Sequence, residues 1–206
     1  MQLFDATTLS DGAFDKILSF LRSGGVIAFP TDTAYGLAAD PFNEGAVRRI
    51  FELKGRSETK PILVLVNSIA MARSIAILSE RALALAKRFW PGPLTMILPA
   101  REAVPELVTA GTGTIGIRWP NAAFALRLLD ALNHPITATS ANRSGTPASV
   151  TAAEVCAQFG DKIDVVVDGG ELPARGGSTL LDLTATPTRI LREGPIAEAE
   201  LSEILR

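Results

Sequence analysis

Apolar positions recur along this chain in two periods. Phe14, Ile17, Leu18 and Leu21 have the spacing of one helix face, with Ser10 or Asp11 placed to cap it and Gly24-Gly25 to stop it. Ala46, Val47, Ile50 and Phe51 repeat the pattern in a second helix that ends near Lys54-Gly55. Further helices are predicted over 79–90, started by Ser79 and halted before Pro91-Gly92-Pro93, and from Asn121 through Phe124, Leu128 and Leu132 to about Asn133. Thr151 and Glu154 have capping-box spacing at the start of a helix that Gly160 ends, and 197–205 reads as a terminal helix.

Between these lie short runs rich in β-branched residues. One spans 24–29 and stops at Pro30. Pro61 opens another over 62–66 that is apolar at every position, which suits a strand covered on both faces. Residues 94–98, 136–139, 163–167, 179–183 and 188–192 complete the set. Some strands alternate with helices and others follow one another directly, so parallel and antiparallel neighbours are both expected. The predicted class is α/β, a mixed, twisted open sheet with helices packed on it. No repeat, low-complexity tract or long linker interrupts the pattern, so a single domain over 1–206 is expected.

Composition narrows the function classes. With 47% hydrophobic and 20% charged residues the chain has the make-up of a folded globule, and a formal charge of -2 argues against a surface basic all round. One cysteine, Cys156, and one histidine, His134, leave no His/Cys zinc cluster; the first reads as a small apolar helix residue and the second as a surface residue. No run approaches the ~18 apolar residues of a membrane helix, and the first turns carry Asp5 and Asp11 in place of a basic leader. No membrane association and a cytoplasmic location are expected.

The chemistry concentrates where the first strand ends. Pro30-Thr31-Asp32-Thr33-Ala34-Tyr35-Gly36 delivers hydroxyls to the strand's tip, and Lys54-Gly55-Arg56 sets two cations at a helix end, where they can converge on one anion. No GxxxxGK[ST] phosphate loop occurs. The GxGxxG match at 111–116 is followed by the extended Ile117-Arg118-Trp119-Pro120 instead of a helix, which rules out the dinucleotide reading. Any phosphate must therefore be met by side-chain cations: Lys54, Arg56, Lys60, Arg118 and Arg192 stand at strand ends or in loops beside polar motifs. Read singly, the first three are also ordinary solvated residues and the two arginines ordinary ion-pair partners. Alternation in an extended segment puts Thr31 and Thr33 on one side and Asp32 on the other, although both threonines also suit a plain turn. Tyr35 serves equally as a core aromatic, and Ser140 and Asn142 as loop residues bonding their own backbone.

Taken in order, Pro30-Thr31-Asp32-Thr33-x-Tyr35-Gly36-Leu37, Lys54-x-Arg56, Ser140-x-Asn142 and Ser178-Thr179 resemble the YrdC-like threonylcarbamoyl-AMP synthases, and the likeness runs from about Gly24 to Arg192. The resemblance implies an open sheet curved around a concave cavity. It also implies formation of L-threonylcarbamoyladenylate and pyrophosphate from L-threonine, bicarbonate or CO2, and ATP with Mg2+. Carried over position by position, Lys54 and Arg56 are the catalytic cations, Thr33, Arg118, Ser140 and Ser178 face the threonine, and Arg56, Lys60, Thr114, Asn142 and Arg192 face the ATP. No protein metal ligand is implied, with Asp32 as a group near the metal at most.

A downstream threonylcarbamoyl transferase and contact with tRNA come with the family. Some relatives carry a further C-terminal domain, which is not expected here because the chain stops soon after Arg192. Leu65 stands where some relatives have histidine, Lys60 where some have asparagine, and Ser57 where a proline is common. A structured-RNA-binding module and an adenylate-hydrolysing paralogue are the alternative readings.

Overall fold

A computed structural model describes residues 1–173 and 177–205. Helix α1 (Asp11–Arg22) starts where the Ser10 hydroxyl accepts from the Ala13 amide at 3.3 Å and buries the predicted stripe of Phe14, Ile17, Leu18 and Leu21. Asn43 caps α2 (Glu44–Lys54) in the same way, and Gly55, left-handed at φ 57°, ends it. The helices α4 (Glu80–Phe89), α6 (Ala123–Leu132), α7 (Ala152–Phe159) and α8 (Glu198–Leu205) fall on the predicted segments. The short α3 (Ile69–Ile75) and α5 (Glu106–Thr109) were not anticipated; seven and four residues give too few turns for a periodic signal.

The strands form the expected mixed α/β arrangement, divided between two sheets. The first has the order β1 (Gln2–Asp5), β9 (Val165–Asp168), β2 (Ile27–Pro30), β3 (Tyr35–Ala38) and β8 (Thr139–Ser140). In it β1, β9 and β2 run parallel while β2–β3 and β3–β8 are antiparallel. The second has the order β11 (Arg189–Arg192), β10 (Thr179–Asp182), β5 (Leu94–Pro99), β6 (Thr114–Arg118), β4 (Val64–Leu65) and β7 (Ile136–Thr137). Here β10–β5 and β6–β4 are parallel and the other neighbours antiparallel.

Two local expectations are corrected. The single strand expected over 136–139 is two: the chain leaves the second sheet at Thr137 and joins the first at Thr139. Thr137 ties the sheets together there, since its buried hydroxyl donates to the Leu37 carbonyl at 3.1 Å and accepts from the Ala39 amide at 2.9 Å. The other concerns Asp32. The 31–34 segment is a turn between β2 and β3 and not an extended strand, so period-two alternation does not apply and Asp32 swings round to Arg118.

One contiguous apolar cluster underlies both sheets. Phe29, Leu37, Leu65, Leu94 and Met96 are all essentially fully buried, each worth ~1.5–3 kcal/mol as an apolar side chain withdrawn from water. Along β5 the alternation decides the site: Leu94, Met96 and Leu98 enter the core, while Thr95 and Ile97 face a hollow on the other side.

Candidate active site

The hollow measures about 940 Å³, at the upper end of the small-molecule range and roomy enough for a nucleotide beside an amino acid. Thr31, Tyr35, Gly36 and Ser140 form the first sheet's wall, and Leu65, Thr95, Ile97, Thr114, Arg118 and Leu180 the second sheet's. Arg56, Lys60, Ser178 and Arg192 close the sides. Among the described residues the lining holds four cations and no aspartate or glutamate.

Arg118 is the most tightly held of the four. Its Nε donates to the Gly92 carbonyl at 3.0 Å, its Nη1 donates to the Thr33 hydroxyl at 2.9 Å, and its Nη2 is in ionic contact with Asp32 Oδ1 at 2.6 Å, off the line of a hydrogen bond. Burial lowers its pKa, Asp32 acts to raise it, and the charge of Arg192 acts to lower it, so the two arginines face one region. Thr33 stands behind Arg118. The Thr31 hydroxyl donates to the Ala34 carbonyl at 2.6 Å, leaving the Thr33 proton for Thr31 at 3.3 Å. Thr33 thus braces the guanidinium.

Arg56 reaches the hollow from the loop after α2, with Nη2 donating to the Pro61 carbonyl at 2.9 Å and a buried Nε that has no partner among the described residues. Arg192, on edge strand β11, donates from Nε to the Ser178 carbonyl at 3.0 Å and from Nη2 to the Ser178 hydroxyl at 3.1 Å. Burial lowers the pKa of both guanidinium groups, yet neither loses its charge in a protein.

Lys54 and Asn142 form a separate unit behind the wall. The buried Lys54 ammonium donates to the carbonyls of Ser140 and Asn142 and to Asn142 Oδ1, while the Asn142 amide donates to the Arg143 carbonyl at 3.0 Å and the Thr146 carbonyl at 2.6 Å. Burial first, and the Arg56 charge second, push the Lys54 pKa down to about 8. Of the ten residues singled out in the sequence, Arg56, Lys60, Thr114, Arg118, Ser140, Ser178 and Arg192 line the hollow; Thr33, Lys54 and Asn142 support residues that do.

Tyr35 also joins the wall. Its hydroxyl accepts from the Gly169 amide at 2.9 Å and faces the Gly170 carbonyl at 2.8 Å and Asp168 Oδ1 at 3.1 Å; burial foremost pushes its pKa up to about 12. Sequence reasoning missed Thr95. A hydroxyl inside an otherwise apolar strand needs a partner when buried, and that was the available signal. His134, expected at the surface, is partly exposed and pairs with Asp40 at 3.0 Å away from this hollow.

The sequence model of the Sua5/YciO/YrdC family, described as "Telomere recombination", matches residues 19–194. The chain belongs to this family. It is 42% identical over 187 residues to the threonylcarbamoyl-AMP synthase of Pyrococcus abyssi, covering 90% of the chain and 55% of that protein. The threonylcarbamoyl-AMP synthase of Bacillus subtilis is 36% identical over 203 residues, with 98% and 59% covered. The crystal structure of P. abyssi Sua5 complexed with L-threonine superposes with a TM-score of 0.94 at 38% identity, covering 99% of the chain and 61% of that protein. The chain therefore spans less than two thirds of the length of these relatives. No helix among the described residues is long and apolar enough to cross a membrane.

Proposed function

We infer that this chain is a threonylcarbamoyl-AMP synthase, making L-threonylcarbamoyladenylate and pyrophosphate from L-threonine, CO2 or bicarbonate, and ATP. The observation that carries this reading is the acid-free lining in which Arg56, Lys60, Arg118 and Arg192 converge with the hydroxyls of Ser140 and Ser178. Relatives bearing that name, and the structural likeness to a Sua5 solved with L-threonine, support it.

The reaction needs no protein nucleophile. The threonine amine adds to CO2 with loss of a proton, a carbamate oxygen forms a bond to the α-phosphorus of ATP, and the bond to the β-phosphate breaks to release pyrophosphate. The chain positions these reactants and offsets the charge that develops between them. Arg118, Ser140 and Ser178 hold the amino acid and its carbamate, and Arg56, Lys60, Thr114 and Arg192 take the nucleotide. Lys54, Thr33 and Asn142 keep these groups in place from behind. Alignment of this kind is worth ~7–11 kcal/mol in favourable cases, and the apolar Leu65, Ile97 and Leu180 keep water from a carbamate that would otherwise lose CO2.

No group of three His, Cys, Asp or Glu side chains that could hold a metal stands among the described residues. Mg2+ fits as the companion of ATP, held by phosphate oxygens and water. Convergence of the cations in a hollow, in place of a spread over an exposed face, favours this reading over an RNA-binding module. The product would pass to a threonylcarbamoyl transferase acting on tRNA, and a cytoplasmic location fits that work.

The test is to incubate the protein with ATP, L-threonine and bicarbonate and to follow pyrophosphate. Release that requires all three supports the assignment; release indifferent to threonine overturns it.

A further inference from the structure

Thr95 stands at one end of a chain of three polar groups, with Ser178 at its middle. Thr95 is fully buried on β5, its hydroxyl lies 2.6 Å from that of the equally buried Ser178, and Ser178 accepts from Arg192 Nη2 at 3.1 Å. All three residues line the hollow. The Thr95 methyl lies on the Gly116 side, 3.6 Å from where a Cβ on that glycine would stand, and a β-branched side chain has little χ1 freedom, which limits where the hydroxyl points.

Counting protons gives this arrangement a direction. A guanidinium only donates, so it occupies one acceptor position of Ser178. The two hydroxyls carry two protons between them, and their mutual bond uses one. Among the described residues neither hydroxyl has another acceptor, so where Thr95 donates to Ser178 the Ser178 proton is left for a further acceptor, and Ser178 lines the hollow beside Arg192.

We propose that Thr95 is a positioning residue that acts through Ser178, so that the Thr95–Ser178–Arg192 unit presents one hydroxyl proton beside one guanidinium and selects an anionic substrate oxygen, a carboxylate or a phosphate. This rests on the synthase reading for the identity of the substrates, not for the polarity of the unit.

The test titrates L-threonine, ATP and inorganic pyrophosphate separately by calorimetry into wild type, Thr95→Val, Thr95→Ala and Thr95→Ser, with thermal unfolding as a check on the fold. Thr95→Val and Thr95→Ala should weaken one of the two substrates by about tenfold, the loss of one hydrogen bond to a charged group, and leave the other within about twofold. Thr95→Ser, which differs from the alanine variant only by the hydroxyl, should restore it. Equal weakening of both substrates, no weakening, or no rescue by serine overturns the proposal. Should Thr95→Val fail to fold, the alanine–serine pair decides alone. A wild type that binds one ligand yet releases no threonine-dependent pyrophosphate overturns the synthase reading alone, and the same ratios still judge Thr95; a wild type that binds none overturns both.

Discussion

The Lys54 ammonium is hydrogen-bonded to Asn142 twice, at 2.9 Å to its backbone carbonyl and at 3.3 Å to its side-chain oxygen, across 88 positions of sequence. The Lys-x-Arg and Ser-x-Asn segments are therefore one mechanical unit. With the Ser144 amide also donating to the Lys54 carbonyl at 2.8 Å, the end of α2 pins the turn that carries Ser140. Removing the ammonium leaves buried oxygens without a donor, which costs about 1–3 kcal/mol each where water cannot replace it. Lys54→Met, which keeps the stem, should lower the unfolding temperature and also weaken binding of both substrates. Arg56→Met should reduce turnover by at least about tenfold with the melting point nearly unchanged. Thermal unfolding of both variants beside substrate titrations separates the two; an unchanged melting point in Lys54→Met removes the support role.

The same ammonium makes stability depend on alkaline pH. Lys54 has a folded pKa lowered from 10.5 to about 8, so between those values the unfolded chain binds more protons and the unfolding free energy rises with pH. The charged form thus costs the native state up to ~3 kcal/mol at neutral pH, relieved as pH climbs from about 8 towards 10.5. Denaturant unfolding at intervals across that window should show the rise in wild type and its absence in Lys54→Met. A wild-type curve parallel to the variant's refutes the buried-charge account.

Arg118 shows why a lysine will not substitute for an arginine here. Three directions of one rigid fork are used at once, towards Gly92, Thr33 and Asp32, and a lysine offers a point charge with no such fork. Arg118→Lys should lower kcat/KM by about 10–100-fold, from bonds to a charged group worth ~1.5–3 kcal/mol, despite the conserved charge. Asp32→Asn, which frees the guanidinium from its counter-ion, should be milder. Steady-state kinetics of the two variants checks the order; near-native activity in Arg118→Lys would remove the geometric argument.

How much of this was legible follows from range. Capping residues and helix stripes are local, so α1, α2, α4, α6 and α7 could be read directly, as could the placing of Arg118 on a strand. Strand β1 could not, because Gln2–Asp5 has no clear alternation and is made a strand by its parallel partner Val165–Asp168. Within the site, residue type identified the cations, but not which of them touch the hollow and which stand behind it. Lys54 and Arg56 look alike in sequence. Only the turn around Gly55 sends one into the fold and the other to the cavity.

Gly177 offers a test on backbone alone. It sits at φ +85°, and a Cβ there would lie 3.0–3.2 Å from the Arg192 guanidinium, so a side chain is opposed both by backbone strain and by a charged group that must shift by a few tenths of an ångström against its bonds to Ser178. Left-handed backbone costs an alanine roughly 1–2 kcal/mol. Gly177→Ala should therefore show a modest loss of stability and a larger loss of ATP binding, because Arg192 is displaced. Gly145, also at positive φ but with open space around its Cβ position, is the control. Gly145→Ala should lose comparable stability and keep ATP affinity. If both glycine variants bind ATP as wild type does, Arg192 does not depend on the room that Gly177 leaves.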